Sequence, residues 1–206
     1  MNIVIVDDHK IIRDGLRVLL ERDPSIRVVG EAADGRAGME LVLKLRPQVV
    51  IMDMAMPELN GIDATRQLRT DGFSGGVAML SSHSERRFVI QALEAGVDAY
   101  VHKEYAFEQV QDAIMAAAQR QRYLSPSLAA MQHDGYLPAV TETLTARERE
   151  VLQMLAEGQS VKEIAFRFDL SPKTVESHRM NLMAKLKVDN LADLTRLAVR
   201  EGLAQM

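Results

Sequence analysis

The apolar positions of the first 120 residues follow two alternating periods. Short runs rich in Val, Ile and Met are separated by stretches in which apolar residues recur every three or four positions, the spacing of one helix face. The runs that predict strands span residues 3–6, 28–30, 49–52, 77–80 and 97–101. Strands that alternate with helices predict an α/β domain, a flavodoxin-like doubly wound parallel sheet of five strands with helices on both faces.

The alternation lapses after residue 120. Pro126, Gly135 and Pro138 stand among polar residues, which is typical of a linker, and one short helix is predicted at residues 127–132. Beyond residue 142 the apolar spacing is helical throughout. We therefore predict three parts: a first domain at residues 1–120, a linker at 121–142 and an all-α second domain at 143–206.

Four helices are predicted in the second domain. Thr145 and Ser160 each precede a Glu by three residues, the pattern of a capping box at a helix start. Pro172 belongs to the first turn of a third helix, where its missing N–H is not needed. The fourth helix covers residues 190–202. The short second helix, the tight turn after it and the longer third helix have helix-turn-helix proportions.

Composition narrows the classes of protein that fit. The chain has no cysteine, which excludes disulfides, thiolate metal sites and cysteine nucleophiles. Its first apolar run ends in two aspartates, unlike a signal peptide, and no apolar run is long enough to cross a membrane. We therefore expect a cytoplasmic protein without a membrane partner. The net charge is −4, but residues 172–187 hold four basic residues against one acidic residue, a local stripe that favours an anionic partner.

Three aspartates fall at the ends of predicted strands. Asp7 and Asp8 come after the first strand, and Asp53 closes the third. Parallel strands share one C-terminal edge, and in a flavodoxin-like order the first and third strands are neighbours, so the three carboxylates converge. Their repulsion would leave at least one of them protonated unless a cation is present. A ligand set made only of oxygen atoms favours Mg²⁺.

Two further strand ends add a hydroxyl and an ammonium group. Ser81 ends the fourth strand, and Lys103 follows the fifth. Taken singly, each residue has an ordinary structural explanation. Asp8 could form a turn, Ser81 could be a hydrogen-bonded hydroxyl at a strand end, and Lys103 could be a solvated surface residue. Their joint occurrence at successive strand ends favours phosphoryl transfer to a carboxylate, in which charge neutralisation and positioning matter most.

Four segments of the first domain resemble the receiver domain of bacterial two-component response regulators. They are VDDH, MDMAMPELNG, LSSH and AYVHK. The resemblance implies that Asp53 is the phosphoacceptor. It also implies a Mg²⁺ site formed by the following groups: Asp7 in a supporting position, Asp8, Asp53 and the backbone of Met54 or Ala55.

The same resemblance assigns roles around the phosphoryl group. Ser81 is expected to hydrogen-bond to it, Lys103 to pair with it, and Tyr100 to act as an aromatic switch. Glu104 stands where the family often has a proline with a cis bond, so we expect a trans bond there. Haloacid-dehalogenase-type phosphatases, which also form an aspartyl phosphate with Mg²⁺, are an alternative. They place two aspartates as D-x-D after the first strand and carry a cap insertion, and this chain has neither feature.

The third helix of the second domain predicts a DNA-reading surface. At about 100° per residue, Val175, Leu182 and Leu186 share the inward face, and the outward face is small, polar and basic. The domain resembles the LuxR-type DNA-binding domain of the NarL/FixJ subgroup through LTAREREVLQMLAEG, KEIA, LSPKTVESHRMNLMAKL and NLADLTRLAVREGL. The resemblance implies base-edge contacts from three residues, Glu176, Ser177 and Met180. It implies phosphate contacts from four others, Lys173, Thr174, Asn181 and Lys185. Arg179 is expected to brace the domain or to reach a phosphate.

Both resemblances together imply a phosphorylation-controlled transcription regulator, not an enzyme beyond its own phosphorylation and dephosphorylation. The expected partners are a sensor histidine kinase, promoter DNA and RNA polymerase. A homodimer is expected in the phosphorylated or DNA-bound state, because one helix contacts few base pairs. The fourth helix also carries an apolar set that a small domain would not hide entirely, Leu191, Leu194, Leu197 and Ala198. Without phosphorylation, the first domain is expected to cover the DNA-reading helix. The alternatives are a constitutive DNA-binding regulator with a non-signalling receiver and a protein-interaction adaptor.

Overall fold

The computed structural model describes residues 1–129 and 144–204. These residues form two compact units, one in each range. No helix within the two ranges is long and apolar enough to cross a membrane.

Parallel strands form the centre of the first unit. The strands are β1 (Asn2–Val6), β2 (Arg27–Ala32), β3 (Val49–Asp53), β4 (Gly76–Ser81), β5 (Ala99–His102) and β6 (Tyr123–Leu124). They lie in the order β2-β1-β3-β4-β5-β6, and every neighbouring pair is parallel. The α/β fold class is therefore confirmed, with β1 next to β3 as predicted.

Helices cover both faces of this sheet. They are α1 (Lys10–Leu20), α2 (Gly35–Leu45), α3 (Gly61–Thr70), α4 (Arg86–Glu94), α5 (Ala106–Ala118) and α6 (Pro126–Ala129), with a 3-10 turn at Lys103–Tyr105. Because side chains alternate along a strand, Val4 and Val6 pack with α2, α3 and α4, whereas Ile3 and Ile5 pack with α1 and α5. Burial on both faces explains why the strands are continuous apolar runs in the sequence.

The sheet has six strands, and the prediction of five was wrong in this respect. Tyr123 pairs with Ala99 and Leu124 pairs with Tyr100, so the start of the predicted linker extends the sheet. Tyr123 packs on one core and Leu124 on the other. Two residues are too few for alternation to be recognised in the sequence. The predicted helix at 127–132 begins one residue earlier, at Pro126, and residues 130–132 of the prediction lie outside the described residues.

Glycines shape the backbone next to two strand ends. A Cβ on Gly61 would lie 2.0 Å from the carbonyl oxygen of Asp53, so α3 can begin against the end of β3 only with glycine there. Gly96, at φ +97, ends α4 with a bond from its N–H to Leu93 O, and Val97 N–H bonds to Ala92 O. This capped end explains why β5 begins at residue 99 and not at the predicted residue 97.

Four helices form the second unit. They are α7 (Ala146–Ala156), α8 (Val161–Arg167), α9 (Pro172–Leu186) and α10 (Leu191–Arg200). The predicted capping boxes at Thr145 and Ser160 are both present, and Ser171 caps α9 by accepting the N–H of Thr174. Buried residues from all four helices make one core, which includes Val175, Leu182 and Leu186 as predicted.

The apolar side of α10 differs from the prediction. Leu194, Leu197 and Ala198 are buried in the core of their own unit, and Leu191 is exposed. The expectation that a small domain would not hide this set entirely holds only for Leu191, because α10 packs directly against α7 and the other three residues are buried. The α10 surface therefore offers little apolar area for a dimer.

Candidate functional site: an acidic strand edge and an exposed helix face

The predicted acidic residues meet at the C-terminal edge of the sheet. Asp53 is the last residue of β3, and Asp7 and Asp8 follow the neighbouring β1. Asp7 and Asp53 are buried, at 0% and 1% exposure, whereas Asp8 is partly open to solvent. Because the bottom of the cleft is buried and one carboxylate is accessible, the edge can admit a small ligand from solvent.

Lys103 ties two of these carboxylates together. Its Nζ lies 2.8 Å from Asp53 Oδ2 and 3.0 Å from Asp7 Oδ2. The side chain is only 14% exposed, so the ion pairs are shielded from water. Burial alone would lower the pKa of Lys103, but the two carboxylates raise it above its ordinary value. Lys103 therefore carries a fixed positive charge at the end of β3.

The pKa of Asp53 is raised to about 7, first by burial and then by the charge of Asp7, while Lys103 opposes the shift. At neutral pH this carboxyl group is therefore partly protonated in the metal-free protein. A divalent cation beside it would favour the ionised form, which is the form that can act as a nucleophile.

His9 joins the acidic cluster, although it was not singled out in the sequence. Its Nδ1 lies 2.6 Å from Asp8 Oδ1 and 3.2 Å from Asp7 Oδ1. Together with Asp53, these residues offer ligand atoms that all lie within 4.8 Å of one another, which is close enough for one small cation. The signal was present in the sequence, since His9 directly follows the two aspartates.

Ser81 and Tyr100 lie on the adjoining strands and are connected through the loop after β4. Ser81 Oγ accepts the N–H of His83 at 2.9 Å, and the hydroxyl of Tyr100 donates to the carbonyl oxygen of His83 at 2.9 Å. Tyr100 is fully buried. The structure thus brings the predicted switch residue and the predicted phosphoryl ligand to the same backbone segment.

The remaining predictions for this edge concern the backbone. The N–H of Ala55 points toward Asp53 Oδ1 at 3.4 Å, so this residue lies beside the Asp53 carboxylate. Glu104 lies in the 3-10 turn. The described residues contain no cis peptide bond, as we predicted for this turn because Glu104 replaces the proline.

The outward face of α9 is exposed along its whole length. The exposed residues are Lys173, Ser177, Met180, Asn181, Ala184 and Lys187. Met180 is 65% exposed, which is unusual for a large apolar side chain and is consistent with a contact made only in a complex. Thr174 is less exposed, because its Oγ1 lies 2.8 Å from the capping Ser171 Oγ.

Three of the predicted DNA-contacting residues have ionic partners inside the domain. Glu176 and Arg179 pair with each other at 2.6 Å along α9. Lys185 Nζ lies 2.8 and 2.7 Å from the two carboxylate oxygens of Glu148, so it links α9 to the first turn of α7. The phosphate contact predicted for Lys185 would have to compete with this pair.

The folds and surfaces of the two units define a class of protein: a receiver domain joined to a helix-turn-helix DNA-binding domain. The response regulator receiver domain family matches residues 3–115, and the luxR family of bacterial regulatory proteins matches residues 142–198. The chain belongs to the two-component response regulators of the NarL/FixJ subgroup.

Similar proteins span the whole chain. The response regulator UvrY of Escherichia coli (strain K12) is 35% identical over 208 residues, covering 98% of this chain and 95% of UvrY. The transcriptional regulatory protein LiaR of Bacillus subtilis (strain 168) is 35% identical over 204 residues, covering 97% and 95%. Among solved structures, the complex of the response regulator RcsB with DNA has a TM-score of 0.60 at 28% identity, covering 97% of this chain and 98% of RcsB.

Proposed function

We propose that this response regulator accepts a phosphoryl group on Asp53 from a sensor histidine kinase, and that phosphorylation changes its dimerisation and its binding to promoter DNA. The observation that carries the proposal is the partly buried Lys103 ammonium group, which lies within 3.0 Å of both Asp53 and Asp7. A lysine in this position neutralises the oxygens of an incoming phosphoryl group and leaves one carboxylate oxygen to attack.

The transfer step follows from these charges. An oxygen of ionised Asp53 attacks phosphorus, the phosphorus–nitrogen bond to the kinase histidine breaks, and an acyl phosphate forms on Asp53. Asp7, Asp8 and Asp53 would hold Mg²⁺, with the backbone at Ala55, and the bound ion would neutralise phosphoryl oxygens. The buried carboxylate oxygens of Asp7 and Asp53 fit such an ion, because their repulsion is only partly balanced by Lys103. Ser81 would hydrogen-bond to a phosphoryl oxygen.

Binding to DNA is assigned to the outward face of α9. Glu176, Ser177 and Met180 would contact base edges, and the surrounding Lys173, Thr174 and Asn181 would contact phosphates. Lys185 and Arg179 would act first as braces, because each holds a carboxylate within the domain.

A second copy of the chain is proposed to bind at the α1 and α5 surface. Ile11 and Val18 on α1 are 80% and 62% exposed, and Phe107 and Met115 on α5 are also exposed apolar residues. The two helices touch, since a Cβ on Gly15 would meet the Phe107 ring at 2.8 Å, so these residues form one patch.

Sedimentation of the beryllofluoride-treated protein tests whether a second copy binds at this patch. Ile11→Glu should give monomers and Leu191→Glu on α10 should not; dimers in both variants would reject the assignment.

Phosphorylation is tested by incubating the full chain with acetyl phosphate and Mg²⁺ and separating the products on a Phos-tag gel. The wild type should gain one phosphorylated band, and Asp53→Asn should gain none. Asp71→Asn, at an exposed carboxylate after α3, is the matched control and should behave as wild type. A phosphorylated band in Asp53→Asn would place the acceptor elsewhere.

Control of DNA binding is tested on the same samples. Genome-wide footprinting first finds a bound site, and gel-shift titrations with and without beryllofluoride then compare affinities. The proposal expects the affinity to differ by roughly 5- to 150-fold, the usual range of allosteric coupling. Equal affinities, with Asp53 nonetheless phosphorylated, would favour the alternative of a constitutive DNA-binding regulator.

A further inference from the structure

The side chain of Met54 lies between the two hydroxyl groups that the receiver function invokes. Its sulfur is 3.4 Å from Ser81 Oγ and 3.6 Å from the hydroxyl of Tyr100, both within hydrogen-bonding range of a thioether. Met54 is fully buried. Its backbone is fixed on both sides, because its N–H donates to Leu80 O and its carbonyl oxygen accepts the N–H of Gly61, each at 2.8 Å. The sulfur therefore occupies a defined position.

A second connection joins the same two hydroxyl groups. The backbone of His83 donates its N–H to Ser81 Oγ and accepts the hydroxyl proton of Tyr100, each at 2.9 Å. Ser81, Met54, Tyr100 and His83 thus form a closed ring of polar contacts, in which the first three residues are buried and His83 is partly exposed. Any movement of the Ser81 hydroxyl changes two of the four contacts at once.

The number of protons decides how this ring responds to a phosphoryl group. The hydroxyl of Ser81 has one proton, which it can give either to Met54 Sδ or to a phosphoryl oxygen on Asp53. A phosphoryl oxygen carries charge and is a far stronger acceptor than a thioether. The proton would therefore leave the sulfur when Asp53 is phosphorylated. The single proton of the Tyr100 hydroxyl, which is given to His83 O at 2.9 Å, would then have the vacated Met54 Sδ at 3.6 Å as a second acceptor.

We propose that Met54 is a positioning residue of the receiver: its thioether holds the hydroxyl of Ser81 in the resting orientation and relays the loss of that contact to Tyr100. The proposal rests on phosphorylation at Asp53. In this proposal, Asp53 and Tyr100 are coupled through two connections. One is the backbone of His83, and the other is the sulfur of Met54, the residue that follows Asp53 in the sequence.

Met54→Leu is the sharpest test, because leucine keeps most of the volume and removes the acceptor. Met79→Leu is the matched control: Met79 is buried in the same core cluster, and no hydrogen bond of its side chain is seen within the described residues. Tyrosine labelled with ¹³C at Cζ reports the hydrogen bonding of each hydroxyl in the full-length protein. The chain has four tyrosines, and Tyr100→Phe assigns the signal.

Met54→Leu should shift the Cζ signal of Tyr100 in the resting protein and reduce its response to beryllofluoride, while Met79→Leu leaves both unchanged. The ratio of DNA affinities with and without beryllofluoride should fall about threefold in Met54→Leu, consistent with the loss of one weak hydrogen bond. Spectra and affinity ratios equal to those of the wild type would overturn the proposal.

A double-mutant cycle provides a second measurement. If the sulfur relays the position of Ser81, the shift that Ser81→Ala causes in the Tyr100 signal should be smaller in the Met54→Leu background than in the wild type. Independent shifts that add would show that Met54 only packs. Phos-tag gels of every sample separate the two levels: unphosphorylated wild type defeats the proposed function, whereas phosphorylated Met54→Leu with normal coupling defeats only the relay.

Discussion

The two functional surfaces of this protein differ in how far their polar and charged side chains are exposed to solvent. At the strand edge, the buried Asp7 and Asp53 both pair with the partly buried Lys103, so each charge depends on the other two. On α9, Lys173, Ser177 and the other outward residues are exposed and point to solvent. A buried cluster responds as one unit to a new charge, which suits a switch, whereas an exposed row of side chains contributes contact by contact, which suits DNA recognition.

This difference has a consequence for mutagenesis. Substitutions at the strand edge should be strongly non-additive, because removal of one charge changes the protonation and solvation of the others. Substitutions on the outward face of α9 should add nearly independently.

The acidic edge should make the receiver less stable as the pH rises. The pKa of Asp53 is raised from 3.8 to about 7, so folding favours the protonated form. Its contribution to stability is complete below about pH 4 and is lost as the pH rises toward 7. In EDTA, the unfolding free energy of Asp53→Asn should therefore exceed that of wild type increasingly between pH 4 and 8, by up to about 4 kcal/mol.

Urea unfolding followed by tyrosine fluorescence measures this change in the receiver alone, because the chain has no tryptophan and residues 144–206 contain no tyrosine. Addition of Mg²⁺ at pH 8 should narrow the gap between the two proteins by stabilising wild type. Asp71→Asn controls for the general loss of an acidic group. If the difference in unfolding free energy between the two proteins is the same at pH 5 and pH 8, then ionisation of Asp53 does not destabilise the fold and the prediction is wrong.

The DNA-binding domain also has a buried carboxylate, Glu148, but its pKa is shifted in the opposite direction from that of Asp53. Burial would raise the pKa of Glu148, yet Lys185 and the capping contacts of Thr145 lower it below its ordinary value. Its contribution is present above that ordinary value and is lost as the pH falls through the lowered pKa. Glu148→Gln should destabilise the domain by about 2 kcal/mol at pH 7, the loss of a charged hydrogen-bonded pair, and by less at pH 3.

Glu163→Gln is the matched control for this prediction. Glu163 occupies the same capping-box position at the start of α8, where it bonds to Ser160, but it is exposed. Glutamine retains the capping geometry in both variants, so the difference between them isolates the contact with Lys185. Helix loss on heating, followed by circular dichroism, measures both. Equal destabilisation would mean that the Lys185 pair contributes nothing.

Local rules predicted those parts of the fold in which one interaction decides the structure. The capping boxes at Thr145 and Ser160, the inward face of α9 and the meeting of Asp7 with Asp53 follow from fixed spacings or from the shared edge of parallel strands. The strand β6 escaped prediction, because two residues show no alternation. The burial of the α10 apolar face also escaped, because it depends on how closely α7 packs against it.

At the site, residue types could be predicted but orientations could not. The sequence places Ser81 and Tyr100 on adjacent strands, yet the contact of both hydroxyl groups with the sulfur of Met54 depends on rotamers chosen by the whole core. Lys185 shows the same limit. Its position on α9 indicated a phosphate contact, whereas the first turn of α7 supplies a carboxylate at 2.7 Å. Contacts between elements distant in sequence decide such cases.

The smallest predicted effect separates two lysines of α9. Lys173 is exposed at the start of the helix, and Lys185 pairs with Glu148. When a lysine contacts a DNA phosphate, its loss lowers the slope of log affinity against log salt by about 0.9. Lys173→Gln should show this decrease, with similar losses on specific and non-specific DNA. Lys185→Gln should leave the slope unchanged while lowering thermal stability. Gel-shift titrations at several salt concentrations measure both slopes. An equal decrease in Lys185→Gln would mean that its ammonium leaves Glu148 for the phosphate, and that the pair seen in the free domain does not survive DNA binding.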